Sequence, residues 1–269
     1  MDNWKLLERP LPFSEGNLTL WSNAYIANNV IKKHLDISID SGSRKKDTII
    51  KTIKWIASKY KEKECILDIG CGPGLYSYLL CEYGFRYYGI DISKFQIEYA
   101  LKNCTSKYAS FKTIDFRKFE PTQKYCGALL LYGIYSFYNF EARITLLKKL
   151  KRCLIPNGKI IVEVFTKQHY INRKENREWE YVIKKGFWSE NPYLELNAFY
   201  RYDELDLYMV QAAVIQDSVY VWNAWTQTFT PESLIKEFEI AGFSKFEVFS
   251  SCTGKIYNKE SDVVCVCAE

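Results

Sequence analysis

The sequence has little of what metal centres and secreted proteins require. It holds only two histidines, His34 and His169, and its nine cysteines include no Cys-x-x-Cys pair. Two distant histidines and scattered thiols do not indicate the tetrahedral site that zinc takes, so we predict no metal. An odd number of irregularly spaced cysteines favours buried free thiols, and these favour a reducing, cytoplasmic compartment.

Long apolar segments and a strong charge imbalance are also absent. The first five residues lead into no apolar core, so no signal peptide is predicted. The longest apolar run, Gly127 to Phe140, is too short for a membrane span. The net charge of +5 is mild for 269 residues, whereas dedicated nucleic-acid binders carry a stronger basic imbalance. We therefore interpret the basic cluster at 148–152 as a solvated helix face.

The middle of the chain alternates strand-like and helix-like stretches. The predicted strands lie at 64–69, 86–91, 108–114, 126–132 and 159–165. Strands that alternate with helices predict a parallel sheet covered by helices on both faces.

The pattern changes after residue 170. A charged helix is predicted at 170–185, and three further strands follow at 193–202, 205–215 and 218–227. Short polar breaks between these strands indicate hairpins, hence an antiparallel meander inserted into the parallel domain. A helix that opens at Thr230-Pro231 and a closing hairpin complete the chain.

A glycine-rich loop follows the first strand in the segment Asp68-Ile69-Gly70-Cys71-Gly72-Pro73-Gly74. Such glycines let the chain turn tightly, and the next helix points its N–H groups at a bound ligand. A dinucleotide site would need a glycine where Leu75 stands, and no Gly-Lys-Ser/Thr of a phosphate loop occurs. Asp68 would repel a pyrophosphate and attract an ammonium.

Two more acids follow successive strands. Asp91 ends the second strand, 17 residues after Gly74, where a carboxylate can accept hydrogen bonds from ribose hydroxyls. Asp115 follows the third strand. The Asp-x-Gly-x-Gly-x-Gly loop with these acids resembles motif I of the class I S-adenosylmethionine-dependent methyltransferases, and Gly89 to Ser93 resembles their motif II.

This resemblance implies an α/β fold, a Rossmann-like doubly wound and mostly parallel sheet with the inserted antiparallel β-meander. It also implies S-adenosylmethionine as cofactor, with Asp115 near the adenine. The implied cofactor residues are Asp68, Gly70, Cys71, Gly72, Gly74, Asp91, Ile92, Asp115, Phe116 and Leu131.

The N-terminal segment resembles that of small bacterial members of the family, through Pro12 to Gly16 and Ser43-Arg44-Lys45. We hypothesise that Arg44 reaches the cofactor carboxylate, because a guanidinium binds a carboxylate through two N–H groups. A surface arginine is the alternative. The predicted parts are an N-terminal helical segment or lid at 1–47, a cofactor-binding domain at 48–168 with 228–269, and an inserted subdomain at 169–227.

The insertion is the part of the chain that bears on the acceptor. Residues 187–225 carry 10 aromatics and a net charge of −5. A subdomain with net negative charge binds the phosphates of nucleic acids poorly, whereas an aromatic, acidic lid suits a small amine or an aromatic acceptor. A dimer surface or plain core packing would give the same pattern. The position after the fourth strand, 131–135, also lacks the Asn-Pro-Pro-Tyr of exocyclic-amine methyltransferases of nucleic acids.

The predicted function is therefore methyl transfer to a small-molecule acceptor by a monomer or homodimer without membrane or nucleic-acid partners. A dedicated base is optional, and the weak catalytic candidates are Tyr132, Tyr135, His169 and Tyr25. An RNA or protein methyltransferase is the alternative if the basic residues at 148–152 and 44–61 form one face. The non-enzymatic alternative is a cofactor-binding regulator.

Overall fold

The structure is a computed structural model that describes residues 3–21, 23–60 and 63–269. The α-helices are α1 Ala24–Leu35, α2 Lys46–Ser58, α3 Ser77–Glu82, α4 Lys94–Asn103, α5 Phe140–Cys153 and α6 Pro231–Ile240. The strands are β1 Cys65–Ile69, β2 Arg86–Asp91, β3 Ala109–Thr113, β4 Tyr125–Leu130, β5 Leu154–Phe165, β6 Asn176–Val182, β7 Tyr193–Tyr202, β8 Leu207–Ile215, β9 Val219–Gln227, β10 Phe246–Phe249 and β11 Val263–Ala268. No helix in these ranges is both long and apolar enough to span a membrane.

The main sheet has seven strands in the order β10-β11-β5-β4-β1-β2-β3. The five strands from β5 to β3 run parallel, and β10 and β11 add an antiparallel edge. Every residue of β1, β4 and β11 is buried, as expected for strands with both faces covered. The strand order reverses between β1 and β4, so a crevice opens there at the carboxyl ends of the strands. The prediction of a doubly wound, mostly parallel sheet is confirmed.

The turn after β1 is longer than the sequence indicates. The sequence predicts a helix from Pro73 to Tyr83, but α3 begins only at Ser77. The backbone is left-handed at Gly70, Gly72 and Gly74, with φ of +72°, +54° and +78°. These angles cannot belong to a right-handed helix, so residues 70–76 form a loop.

A second sheet of four antiparallel strands, in the order β6-β7-β8-β9, fills the insertion. The helix predicted at 170–185 is wrong: a 3-10 helix at Lys167–Tyr170 precedes β6, which pairs along its length with β7. Six of the seven residues of β6 are exposed, so its charges stay solvated on an edge strand as they would on a helix. The charge pattern therefore does not distinguish the two elements.

The N-terminal segment lies across the second sheet. Leu18 N donates to Val221 O at 2.9 Å, and the Asn17 side chain bonds the backbone of Val219 and Val221. Gly16 lies against Val221 so closely that a Cβ would come within 1.9 Å of its carbonyl oxygen. The segment thus continues the sheet beyond the edge of β9 before it enters α1.

A buried ion pair joins α5 to α6. The guanidinium of Arg143 donates to both oxygens of Glu237, at 2.6 and 3.0 Å, and the Tyr135 hydroxyl donates to the same carboxylate. All three side chains are nearly inaccessible to solvent. Each charge is compensated only by this network, so the loss of either partner leaves an uncompensated buried charge.

We expect Arg143→Met to lower the free energy of unfolding by about 3–5 kcal/mol, because Glu237 would stay buried without its cation. Urea unfolding at pH 7 measures this change. The matched control is Lys245→Met, which breaks a pair with Glu269 whose lysine is 71% exposed, and there we expect less than about 1 kcal/mol. Equal effects of the two variants would contradict the proposed role of the Arg143 pair.

Candidate functional site

The glycine loop is held against the end of β2 by backbone hydrogen bonds. Gly70 N and Cys71 N both donate to Ile90 O, at 2.8 and 3.1 Å. Gly72 N donates to Asp91 Oδ2 at 2.9 Å. These bonds fix the loop at the end of β2, and its glycines have no side chain to keep a ligand away from the main chain.

Asp91 ties this loop to the next element. Its other oxygen, Oδ1, accepts from Ser93 N at 2.8 Å, and Ser93 in turn caps α4. Burial raises the pKa of Asp91, and the N–H groups of Ser93 and Gly72 oppose that rise. A carboxylate has about four acceptor positions, so two remain for the ribose hydroxyls that the sequence assigns to it.

Asp115 is bound by the side chain of the residue two positions on. Arg117 donates to it from Nε and Nη2, and the Arg117 backbone N–H donates as well. Partial burial would raise the pKa of Asp115, but these bonds outweigh it and lower the pKa. Asp115 thus has a charged partner within the protein, whereas the donors to Asp91 are neutral backbone N–H groups, and its contact with the adenine stays a prediction. Phe116 beside it is buried and meets the ring of Tyr138 edge-on at 4.4 Å.

Asp68 lies beneath the loop. It is 3% exposed and accepts a 2.5 Å hydrogen bond from the Tyr87 hydroxyl. Burial raises its pKa to about 7, the Tyr87 bond opposes this, and the charge of Asp91 adds to it. Near neutral pH this acid is therefore divided between its two protonation states.

Arg44 comes to the carboxyl ends of β4 and β5. Its Nη2 forms an ion pair with Glu163 Oε2 at 3.1 Å, although the contact lacks the angles of a hydrogen bond. Its guanidinium carbon is 4.8 Å from the centroid of the Tyr132 ring. A guanidinium has five N–H donors, more than the ion pair with Glu163 uses, and a contact of Arg44 with the cofactor carboxylate stays a prediction.

His34 is a site residue that the sequence did not indicate. It ends α1, and a Cβ on Gly72 would lie 3.2 Å from its Nδ1. Burial lowers its pKa to about 4, so the imidazole is neutral at physiological pH. A lone histidine at a helix end carries no local signal, and only the fold brings it onto the loop.

The four catalytic candidates have different surroundings. Tyr132 and His169 both pack on Phe165 at the end of β5, with ring centroids 6.4 and 4.5 Å away. Tyr135 is wrong as a candidate, because its ring is fully buried and its hydroxyl bonds Glu237. Tyr25 donates to Gly186 O at 2.7 Å, so it anchors α1 to the second sheet.

The remaining predicted cofactor residues lie at the carboxyl ends of the same strands. Leu131 follows β4 and is buried, whereas Ile92 follows β2 and is 40% exposed. The Cys71 thiol faces Gly89, where a Cβ would lie 2.8 Å from the sulfur. Ile134 packs on Gly70: a Cβ built on this glycine would lie 3.0 Å from the Ile134 side chain.

Substitutions of Asp91 and Asp115 should weaken cofactor binding to different extents. We expect Asp91→Ala to weaken S-adenosylhomocysteine binding by at least about tenfold, because it removes a charged acceptor from Gly72 N and from the ribose site. Asp115→Ala should weaken this binding less, since Arg117 already occupies that carboxylate. Isothermal titration calorimetry measures both affinities, and equal losses of affinity would contradict the role given to Asp91.

The buried carboxyl group of Asp68 predicts that cofactor affinity depends on pH. If a ligand ammonium lies beside it, binding favours the ionised carboxylate. With a pKa of about 7 before binding, affinity for S-adenosylhomocysteine should rise about fivefold from pH 6 to pH 7. Binding below pH 7 should also release a proton, which calorimetry in buffers of different ionisation enthalpy detects. Asp68→Asn should show neither effect.

Residues 43–248 match the family described as methyltransferase domain. A curated Bacillus subtilis relative, YqeM, which is named as a methyltransferase, is 42% identical over 53 residues. That stretch covers 20% of this chain and only 22% of the relative.

Solved structures share the whole fold. The CcbJ methyltransferase from Streptomyces caelestis has a TM-score of 0.68 at 12% identity, over 90% of this chain and 97% of that one. The sugar N-methyltransferase KedS8 from Streptoalloteichus has a TM-score of 0.60 at 12% identity, over 94% and 97%. Since the family match covers well over half of the chain, this protein belongs to the class I S-adenosylmethionine-dependent methyltransferases, whose cofactor the glycine loop predicted.

Proposed function

We propose that the protein transfers the methyl group of S-adenosylmethionine to an amine nitrogen of a small molecule. The observation that carries the proposal is the crevice itself. The glycine loop and Asp91 lie at the ends of β1 and β2, and Arg44 lies beside Tyr132 and Glu163 at the ends of β4 and β5. Such an arrangement suits a ligand with a ribose at one end and an amino acid at the other.

In this proposal the cofactor residues act on different parts of one ligand. Asp91 holds the ribose, Arg44 the carboxylate, and Asp68 attracts the ammonium. S-adenosylmethionine supplies a methyl group that its sulfonium has already activated. The chain's own tasks are therefore to align the acceptor lone pair, exclude water and accept a proton.

The acceptor would lie between the main sheet and one face of the second sheet. We define the cleft face as the side of the second sheet that carries Asn197, Trp222 and Ala224. One end of this face is covered by Ile26 and Val30 of α1. The other end is covered where Tyr170 stacks on Tyr208 at 4.4 Å.

The middle of the cleft face stays partly open. Asn197, Trp222 and Ala224 are partly buried there; Asn197 and Trp222 lie on either side of Ala212 of β8, and Ala224 is the next residue of β9 on this face. After β9, Phe229 N donates to Phe165 O at 3.0 Å, so this face adjoins the end of β5. A partly exposed indole on this face suits a cationic amine through cation–π attraction.

His169 is the proposed proton acceptor. Burial lowers its pKa, Asp262 opposes this, and the charges of Arg44 and Arg173 lower it further. The imidazole is therefore neutral near pH 7 and can accept a proton from a bound ammonium, whose nitrogen lone pair is then free to attack.

A small amine is favoured over a macromolecular acceptor. KedS8, which has the same fold, is a sugar N-methyltransferase. The basic residues of α2 and α5 lie on opposite sides of the main sheet, because α2 packs in the core cluster on one face and α5 in the cluster on the other. The cytoplasmic location belongs to the same proposal.

A metabolite screen tests the proposed function. The chain is incubated with S-adenosylmethionine and separate pools of amino sugars, aliphatic amines, phenols and RNA, and S-adenosylhomocysteine is measured. We expect turnover with an amine pool and at least about a tenfold loss in Asp91→Ala, following its weaker cofactor binding. Turnover only with RNA would favour the macromolecular alternative, and cofactor binding without turnover would favour a regulator.

A further inference from the structure

The chain makes an unusual turn directly after β4. Tyr132 and Gly133 are both left-handed, with φ of 55° and 76°. Only glycine fits at position 133, because a Cβ there would lie 2.3 Å from the Phe165 ring. Tyr132 has a side chain, so its left-handed backbone is strained and persists only if surrounding contacts hold it.

One residue of β5 supplies those contacts. Tyr132 N donates to Glu163 Oε2 at 3.0 Å, and Gly133 N donates to the Glu163 carbonyl oxygen at 3.1 Å. Glu163 is 4% exposed and cannot turn away to solvent. Its side chain and main chain together hold both left-handed residues.

The same carboxylate faces Arg44. Oε2 is the oxygen that lies 3.1 Å from Arg44 Nη2, and the guanidinium covers the ring of Tyr132. Burial would lower the pKa of Arg44, but the charge of Glu163 and the contact with its carboxylate outweigh this and raise the pKa. Glu163, Arg44 and Tyr132 thus form one contact group, and Glu163 touches both other members.

We propose that Glu163 is a positioning residue for methyl transfer. Through Arg44 it sets the group that receives the cofactor carboxylate, and through Tyr132 it sets the aromatic wall on the acceptor side. This inference rests on the proposed function. It predicts that one carboxylate aligns both halves of the reaction without touching either reactant.

Two ligands separate this role from a general effect on stability. S-adenosylhomocysteine carries the amino-acid end, and 5′-methylthioadenosine lacks it. We expect Glu163→Gln to weaken binding of the first about tenfold, because Arg44 loses the charge that orients it. Binding of the second should not change. Glu247→Gln, which removes the surface partner of Lys59, is the matched control and should alter neither.

Hydrogen–deuterium exchange measures whether the turn at Tyr132 and Gly133 keeps its hydrogen bonds. Glu163→Gln keeps an oxygen for Tyr132 N, so the amides at 132 and 133 should stay protected. Glu163→Ala removes that oxygen, and exchange should rise at Tyr132 while β1 and β2 keep their protection. If Glu163→Ala does not fold, the glutamine variant with the two ligands decides the matter.

Three results would overturn the inference. Unchanged S-adenosylhomocysteine binding in Glu163→Gln would show that Arg44 needs no orientation. Equal losses for both ligands with faster exchange throughout the sheet would show a purely structural role. Wild-type protein that binds neither ligand would overturn the proposed function, and this inference with it, whereas the first two results leave the proposed function intact.

Discussion

The hydrogen bond from Gly72 N to Asp91 Oδ2 joins the two elements on which the site depends. A chain that leaves a parallel strand must reverse before its helix can pack back on the sheet. Here it does so through glycines at positive φ, which by themselves leave the loop free to move. Asp91 fixes the loop to β2 and, through Ser93, to the start of α4. The crevice is therefore formed before any ligand enters, which reduces the ordering that binding requires.

Burial of three acids follows from this construction. Asp68, Asp91 and Glu163 lie near the carboxyl ends of β1, β2 and β5, where the helices leave little solvent. Each has a different compensation: a tyrosine hydroxyl for Asp68, backbone N–H groups for Asp91, and a backbone N–H with a nearby guanidinium for Glu163. Burial raises the pKa to about 7 at Asp68, whose compensation is a single neutral donor. A ligand ammonium would supply the charge that Asp68 lacks.

Local patterns predicted one half of the site and missed the other. The glycines and the acids at 68 and 91 follow strands within about thirty residues of sequence, and strand–loop–helix chemistry makes them recognisable. Glu163 and His34 reach the site through tertiary packing, so no spacing in the sequence indicates them. Tyr135 has the right position after β4, but its hydroxyl faces a carboxylate from α6, about a hundred residues later. The helix predicted at 170–185 is wrong because β6 is exposed on both faces, so no buried apolar face marks the period of two by which a strand is recognised.

Helix α1 connects the second sheet to the glycine loop. At its start, Tyr25 and Asn29 donate to the carbonyls of Gly186 and Phe187, next to the second sheet. Near its end, His34 lies on Gly72. A helix of twelve residues thus spans from the cleft face to the glycine loop. The fold therefore places the insertion, through direct contacts with α1, next to the loop that we propose binds the cofactor.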